Sequence, residues 1–211
     1  MISYDYFLKE HQRLFPDTNV SRETFDRLLY YVQKVIEYNQ SFNLIGSGEK
    51  EKIWERHVFD SMQLYPYIEE NKKICDIGSG AGFPGVVLGI MGVSGITLIE
   101  SNEKKATFLK NVSRETLIDN NIVCERVENL KKPFDVIIAR AVSPLKNLLL
   151  WTQNISHKET QYIFPKGKKY QEEITEAYKK FAFDVVLHHS VTNENGRILV
   201  IKNVHKNNCR R

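Results

Sequence analysis

The residues of this chain best suited to do chemistry lie in one short run, Asp76-Ile77-Gly78-Ser79-Gly80-Ala81-Gly82-Phe83-Pro84-Gly85. Glycines at 78, 80 and 82 let the backbone turn tightly and approach a ligand with no Cβ in the way. Pro84 suits the first turn of a helix, where its missing N–H costs nothing. The free amides of such a helix start favour a nearby carboxylate or phosphate. About twenty residues on stands Glu100, an acid able to accept hydrogen bonds from both ribose hydroxyls of an adenosine. Loop and acid together describe a nucleoside-cofactor site, and two cofactors compete for it. The run Gly80 to Gly85 satisfies GxGxxG, the dinucleotide pattern, which points to NAD. That pattern is two residues out of register, because the first glycine after the strand is Gly78. Asp76 at the strand end repels a pyrophosphate and attracts a sulfonium or ammonium group. S-adenosyl-L-methionine carries both cations and is the leading reading on chemistry. Glycines that merely pack a helix on a strand remain the bland alternative.

The elements that must hold this site fall into two halves. Over residues 1–70 the periodicity is helical. From Ser21, a good N-cap, Phe25, Leu28, Leu29, Val32, Val35 and Ile36 recur at three- and four-residue spacing and predict a helix ending near Tyr38. A shorter helix is expected over Ile2–Phe15 and another from about Glu49 to Ile68, with Asn43–Gly48 as the loop between. From residue 71 to 203, β-rich runs alternate with helical ones. Strands are expected at Lys73–Ile77, Ile96–Glu100, Ile122–Glu125, Phe134–Ala139, Gln161–Phe164, Asp184–His188 and Arg197–Lys202. Helices are expected at Pro84–Met91, Glu103–Asp119, Pro144–Ser156 and Lys169–Phe181. Such alternation specifies an α/β fold, a mostly parallel seven-stranded sheet with helices on both faces. The last two strands read as an edge hairpin around Asn193–Gly196. Residues 204–211 read as a loose basic tail. In an open parallel sheet, ligands bind beyond the carboxyl ends of the strands where strand order reverses, which is where the glycine run falls.

Composition bounds the rest. The chain has 211 residues, 42% hydrophobic and 27% charged, as in an ordinary folded globule. A net charge of +4 permits a polyanionic partner without proving one. Three scattered cysteines offer no disulfide framework and suit a reducing cytosol. No secretory signal is visible at the amino terminus, and the greasy window Ile74–Ile99 is too rich in glycine to span a membrane. A cytoplasmic protein, monomeric and without a metal, is expected. Cys75 and Cys124 read as core residues. His188 and His189 read as structural. His57 has no second ligand at helical spacing, so Arg56-His57 reads not as a metal site but as closing the cofactor pocket or touching the substrate.

The glycine loop preceded by Asp76 and followed by Glu100 resembles the class I S-adenosylmethionine-dependent methyltransferases. The surrounding words narrow the resemblance: Phe42-Asn43-Leu44, Glu55-Arg56-His57-Val58-Phe59-Asp60-Ser61-Met62, then Gly80 to Gly85. Further on come Glu100-Ser101 with Lys104-Lys105, Arg126-Val127-Glu128, Phe134-Asp135-Val136, Arg140-Ala141 and Lys166-Gly167. As an ordered set over about residues 38–167 they resemble the glucose-inhibited division protein B family. Its members methylate one guanine of bacterial 16S ribosomal RNA at N7. The family's Trp-Asn, Asn-Leu-Thr, second-strand Asp and Arg-Ala-Phe stand here as Tyr38-Asn39, Asn43-Leu44-Ile45, Glu100 and Arg140-Ala141-Val142.

The resemblance implies a Rossmann-like class I methyltransferase sheet with a helical N-terminal extension, S-adenosyl-L-methionine as cofactor, and 16S ribosomal RNA or a small-subunit particle as partner. It places Gly78, Gly80, Phe83, Glu100, Ser101, Val127 and Glu128 at the cofactor. It places Arg140 at the mouth, touching cofactor or RNA. As a charge on the loop after the fourth strand, beside that mouth, Arg140 is the expected essential residue. Arg56, Lys104, Arg126 and Lys166 fall to the RNA. Guanine N7 carries a lone pair and no proton, so its methylation needs no general base; alignment should supply most of the rate. Gly78→Val is expected to abolish cofactor binding with the fold largely retained. The competing readings are a class I methyltransferase with another substrate, a non-catalytic RNA-binding assembly factor, and a small NAD-binding oxidoreductase.

Overall fold

The computed structural model describes residues 2–46 and 48–207. Two helices open the chain, α1 (Tyr4–Leu14) and α2 (Arg22–Tyr38). Each starts on a serine whose hydroxyl accepts an amide of the first turn: Ser3 from Tyr6 at 3.2 Å and Ser21 from Thr24 at 3.0 Å. The single helix expected from Glu49 to Ile68 is instead a series of short turns. A 3-10 turn covers Lys50–Lys52, π-helical turns Trp54–Phe59, one α turn Asp60–Met62 (α3) and a 3-10 turn Tyr65–Tyr67. Its apolar residues Ile53, Trp54, Val58, Met62 and Leu64 are nonetheless all buried. Periodicity located the buried face, but side-chain pattern alone does not distinguish α winding from π.

The remaining elements alternate as expected: β1 (Ile74–Ile77), α4 (Gly85–Ile90), β2 (Thr97–Ile99), α5 (Glu103–Glu115), β3 (Asn121–Val123), β4 (Val136–Ile138), α6 (Leu145–Trp151), β5 (Gln161–Lys166), α7 (Tyr170–Tyr178), β6 (Phe181–His189) and β7 (Arg197–Lys206). The sheet order is β3-β2-β1-β4-β5-β7-β6. The first five strands are parallel, and β7 runs antiparallel between β5 and the edge strand β6. Strand order therefore reverses between β1 and β4, and the loops leaving those two strands meet there. Strand β7 continues to Lys206, three residues into the stretch read as a tail. Residues 208–211 lie outside the described ones. Cys75 is buried, but Cys124 is exposed, because it follows β3, an edge strand none of whose residues is buried.

Alternation along the strands divides the core by face. Ile74, Leu98, Val136, Ile138 and Ile163 belong to one cluster, shared with Phe7, Phe25, Tyr31, Trp54 and Phe59. Ile77, Ile99, Ile137, Tyr162 and Phe164 belong to the other, under Leu145, Leu148, Leu149 and Ala177 of α6 and α7. The N-terminal extension is thus part of the layer covering one sheet face. It also reaches the glycine loop: the buried Tyr31 hydroxyl donates to the Ala81 carbonyl at 2.8 Å, and its ring lies 5.1 Å from that of Phe83. Removing that hydroxyl leaves a buried carbonyl without its partner, at a cost of about 1–2 kcal/mol. Tyr31→Phe is expected to lower the unfolding free energy by that amount in urea titration, and to leave the helical content intact.

Candidate cofactor and substrate site

The glycine loop leaves β1 through two left-handed residues, Gly78 at φ +64° and Gly80 at φ +58°. A Cβ on Gly80 would meet only the Gly78 carbonyl, at 3.8 Å, so the loop keeps an open cradle on that side. A Cβ on Gly78 would lie 2.8 Å from both methyl groups of Val142. Gly78→Val would therefore push on the loop after β4 as well as on any ligand, so loss of cofactor binding in that variant would not report the pocket alone.

Glu100, 8% exposed, ties two strand-end loops together. One oxygen accepts the Gly80 amide at 2.9 Å and the other the Asn102 amide at 2.8 Å. Each carboxylate oxygen keeps a second lone pair for a further donor. Asp76 has a different environment. It is fully buried, and its Oδ2 accepts the Gly85 amide at 3.0 Å, the first of α4. The amide expected to attract a ligand's phosphate is thus taken by the protein's own carboxylate, which argues against a pyrophosphate. Asp76 Oδ1 is buried with no hydrogen-bond partner. Burial pushes the Asp76 carboxyl up to about 7, against the pull of the Gly85 amide, Ser79 and Arg140.

Arg140, just past β4, reaches across to the extension. Its Nη1 donates to the Arg56 carbonyl at 2.7 Å and lies 3.3 Å from Asp60 Oδ2. Its Nη2 lies 2.6 Å from His57 Nδ1. The guanidinium carbon sits 5.4 Å from the centre of the Phe83 ring, a cation–π contact. The next residue, Ala141, is left-handed at φ +55°, a conformation that persists only where the surroundings impose it. They do so on both sides. Lys166 Nζ donates to the Ser143 carbonyl at 2.7 Å and pairs with Glu173 at 2.8 Å, and Glu173 accepts the Leu145 amide at 2.8 Å.

Residues 24–204 match the family model described as rRNA small subunit methyltransferase G. Over 186 residues the chain is 41% identical to the ribosomal RNA small subunit methyltransferase G of Orientia tsutsugamushi (strain Ikeda), covering 87% of this chain and 93% of that one. It is 39% identical over 189 residues to the protein of the same name in Rickettsia prowazekii (strain Madrid E), covering 89% and 98%. The chain belongs to the rRNA small subunit methyltransferase G family. It is accordingly an S-adenosylmethionine-dependent methyltransferase of ribosomal RNA. Among solved structures, ribosomal protein L11 methylase from Lactobacillus delbrueckii subsp. bulgaricus superposes with a TM-score of 0.57 at 16% identity, covering 69% of this chain and 77% of that one. That likeness is one of fold.

The site of this methyltransferase fits its cofactor. The open side of Gly80 and the spare lone pairs of Glu100 suit a ligand that brings hydroxyls, and the buried Asp76 carboxylate beneath them favours positive charge nearby without touching it. A cleft of about 1090 Å³ adjoins them, walled by the 49–60 segment, the loops after β4 and β5, and the 190–197 turn. Arg56, Arg140 and Lys166 line it; Gly78, Gly80, Glu100, Ser101, Val127 and Glu128 do not. Val142 lines the cleft and also packs on Gly78, so it marks the boundary between the two regions. Phe83 and Val127 are buried, Glu128 is half-buried, and Ser101 is exposed. Lys104 and Arg126 are exposed, with side chains unpartnered among the described residues. Lys166 departs from expectation: its side chain is 9% exposed and held by Glu173, so it braces a loop. Sequence reasoning missed Glu49 and Asp60, which reach His57 and Arg140 only through the irregular 48–60 segment.

Among the described residues no helix is long and apolar enough to cross a membrane, and no group of His, Cys, Asp or Glu could hold a metal.

Asp76 yields a pH test. A native carboxyl near 7, against an ordinary value of about 4, binds a proton that the unfolded chain releases in between. Its contribution to stability is full below the ordinary value and is lost as pH rises through 7. His57 works the other way over an overlapping range, so the comparison must isolate Asp76. The unfolding free energy of the wild type minus that of Asp76→Asn is expected to fall from pH 5 to pH 8; a flat difference would contradict it.

Proposed function

We propose that the acceptor is N7 of a single guanine in 16S ribosomal RNA, presented as RNA or as a small-subunit particle to a monomeric, cytoplasmic enzyme. The observation that carries the choice of atom is the state of His57, the histidine of the cleft. Both its ring nitrogens are engaged, one by Arg140 and one by Glu49, and its pKa is lowered to about 4 by burial first and Arg140 next. It is not free to take a proton from an incoming nucleophile, and N7 has none to give up. Bound S-adenosylmethionine supplies an electrophilic methyl group on its sulfonium.

The chain's residues then bind, orient and exclude water. Gly78, Gly80, Phe83, Glu100, Ser101, Val127 and Glu128 form the cofactor pocket. Arg140 stands between pocket and cleft and meets the reacting groups. Arg56, Lys104 and Arg126 offer cations to phosphates, contacts that salt would weaken. Lys166 acts through the loop it holds. The irregular target is reached in single-stranded or splayed RNA, since the major groove of A-form RNA hides N7.

The test is transfer of labelled methyl from S-adenosylmethionine into small-subunit RNA and intact subunits from cells lacking this protein, followed by nucleoside analysis. Label confined to 7-methylguanosine at one site is expected. Label in another nucleoside would overturn the choice of atom. Arg140→Lys, which keeps the charge and loses the planar fork, is expected to cut turnover roughly 100-fold, the scale of a misplaced reacting group. Unchanged turnover would remove Arg140 from the site.

A further inference from the structure

We propose that Glu49 and His57 act as a positioning pair that fixes the orientation of Arg140 for methyl transfer. This rests on the reading of Arg140 above. An arginine side chain has five N–H donors and no acceptor. The 2.6 Å contact between Arg140 Nη2 and His57 Nδ1 is therefore a donation to the ring, and Nδ1 carries no hydrogen. The neutral imidazole then has its hydrogen on Nε2, which lies 3.1 Å from Glu49 Oε2, an acceptor. The whole sequence of donors follows from that one constraint: Arg140 donates to His57, and His57 donates to Glu49.

Each end of this chain is anchored. Glu49 Oε2 also accepts the Gly46 amide at 3.0 Å, and its other oxygen lies 3.7 Å from Arg56 Nη1. Burial pushes the Glu49 carboxyl up, but Gly46, His57 and Arg56 outweigh that and hold it below its ordinary value, so it remains an acceptor. On the far side of Arg140, Asp60 is fixed by Thr192, whose hydroxyl donates to Oδ1 at 2.6 Å, and by Gln63 Nε2 at 2.7 Å. The His57 ring also packs on Phe83, with centroids 4.9 Å apart. Ring and guanidinium therefore share one aromatic face of the glycine loop.

A neutral acceptor suits this task better than a second carboxylate at the same distance. It directs the guanidinium without neutralising it, leaving the charge for a phosphate or for the guanine. Two carboxylates in direct contact would cancel much of that charge. The ring is 9% exposed at its side chain, so water does not substitute for it.

The test uses the full chain and compares His57→Phe, His57→Asn, Glu49→Leu and Glu49→Gln with Arg140→Lys and with His57→Phe/Arg140→Lys. Measured are kcat, KM for RNA, affinity for S-adenosylhomocysteine and thermal midpoint. His57→Phe keeps a ring against Phe83 and loses the acceptor; kcat is expected to fall roughly tenfold or more. His57→Asn brings a carboxamide oxygen near the place of Nδ1 and is expected to recover most of that loss, despite its smaller volume. Glu49→Leu should lower kcat and Glu49→Gln restore it. The double variant should be no slower than Arg140→Lys alone, because the pair acts only through that residue. Equal losses in His57→Phe and His57→Asn, or independent losses in the double variant, would reduce His57 to packing and overturn the proposal. Fully active Arg140→Lys would overturn the Arg140 reading itself; impaired Arg140→Lys beside unimpaired His57→Phe would overturn the pair alone. Nitrogen-15 spectra of the wild-type His57 ring give an answer even where a variant fails to fold. Hydrogen on Nε2 and none on Nδ1 near neutral pH is expected, and the opposite tautomer would overturn the proposal.

Discussion

The guanidinium of Arg140 is held largely out of water; its two terminal nitrogens find acceptors, while its buried Nε has none among the described residues. Its acceptors come from one stretch of chain far away in sequence: the Arg56 carbonyl, the His57 ring and the Asp60 carboxylate. The stretch that carries them is the irregular part of the extension, π-helical turns running into a single α turn. Such turns recur at functional sites in other proteins, and here they set three different acceptors around one cation. The loop after β4 is in turn held by Lys166 and Glu173, which lets Ala141 stay left-handed. Arg140 thus joins the sheet's carboxyl edge to the layer covering one of its faces.

That layer explains why the extension cannot be regarded as an appendage. Phe7, Phe25, Tyr31, Trp54 and Phe59 lie in the same cluster as Ile74, Val136 and Ile138 of the sheet. At roughly 25 cal/mol per Å² of apolar surface removed from water, aromatic residues of this size are a main source of stability on that face. The same packing brings Tyr31 to the Ala81 carbonyl and Phe83 beneath both His57 and Arg140. Folding energy and site geometry are therefore supplied by the same residues. Tyr31 and Phe83 are the contacts by which the extension meets the glycine loop.

How far the sequence disclosed this can be argued residue by residue. The strand–helix alternation, the seven strands and the terminal hairpin were legible because apolar periodicity is local. The glycine loop and Glu100 were legible because left-handed turns and strand-end acids leave their signature in residue type, and Glu100 indeed meets Gly80. Arg140 was legible as the charge after the fourth strand. Its partners were not. Glu49 lies 91 positions before it, the intervening turns have no helical spacing that could pair Glu49 with His57, and π winding has no side-chain signature. Lys166 was misjudged for a related reason. Residue type marks a cation, but only the packing of α7 shows that Glu173 claims it. Cys124 was misjudged because residue pattern does not reveal which strand lies at the sheet edge: β3 is outermost and none of its residues is buried.

The two acids of the cofactor region show how the same functional group acquires different roles from its surroundings. Glu100 is bound by two backbone amides and holds the loops after β1 and β2 together, with lone pairs to spare. Asp76 is wholly buried, spends one oxygen on the first amide of α4 and leaves the other unpaired. A buried acceptor without a partner costs on the order of 1–3 kcal/mol, and burial of the charge separately raises the Asp76 carboxyl to about 7. Positive charge on a nearby ligand would favour the ionised carboxylate through space, and a pyrophosphate would disfavour it. The GxGxxG spacing alone could not separate the two cofactors, because glycines report only that the backbone comes close. What separates them physically is the carboxylate beneath the helix start, whose charge favours a cationic ligand over an anionic one.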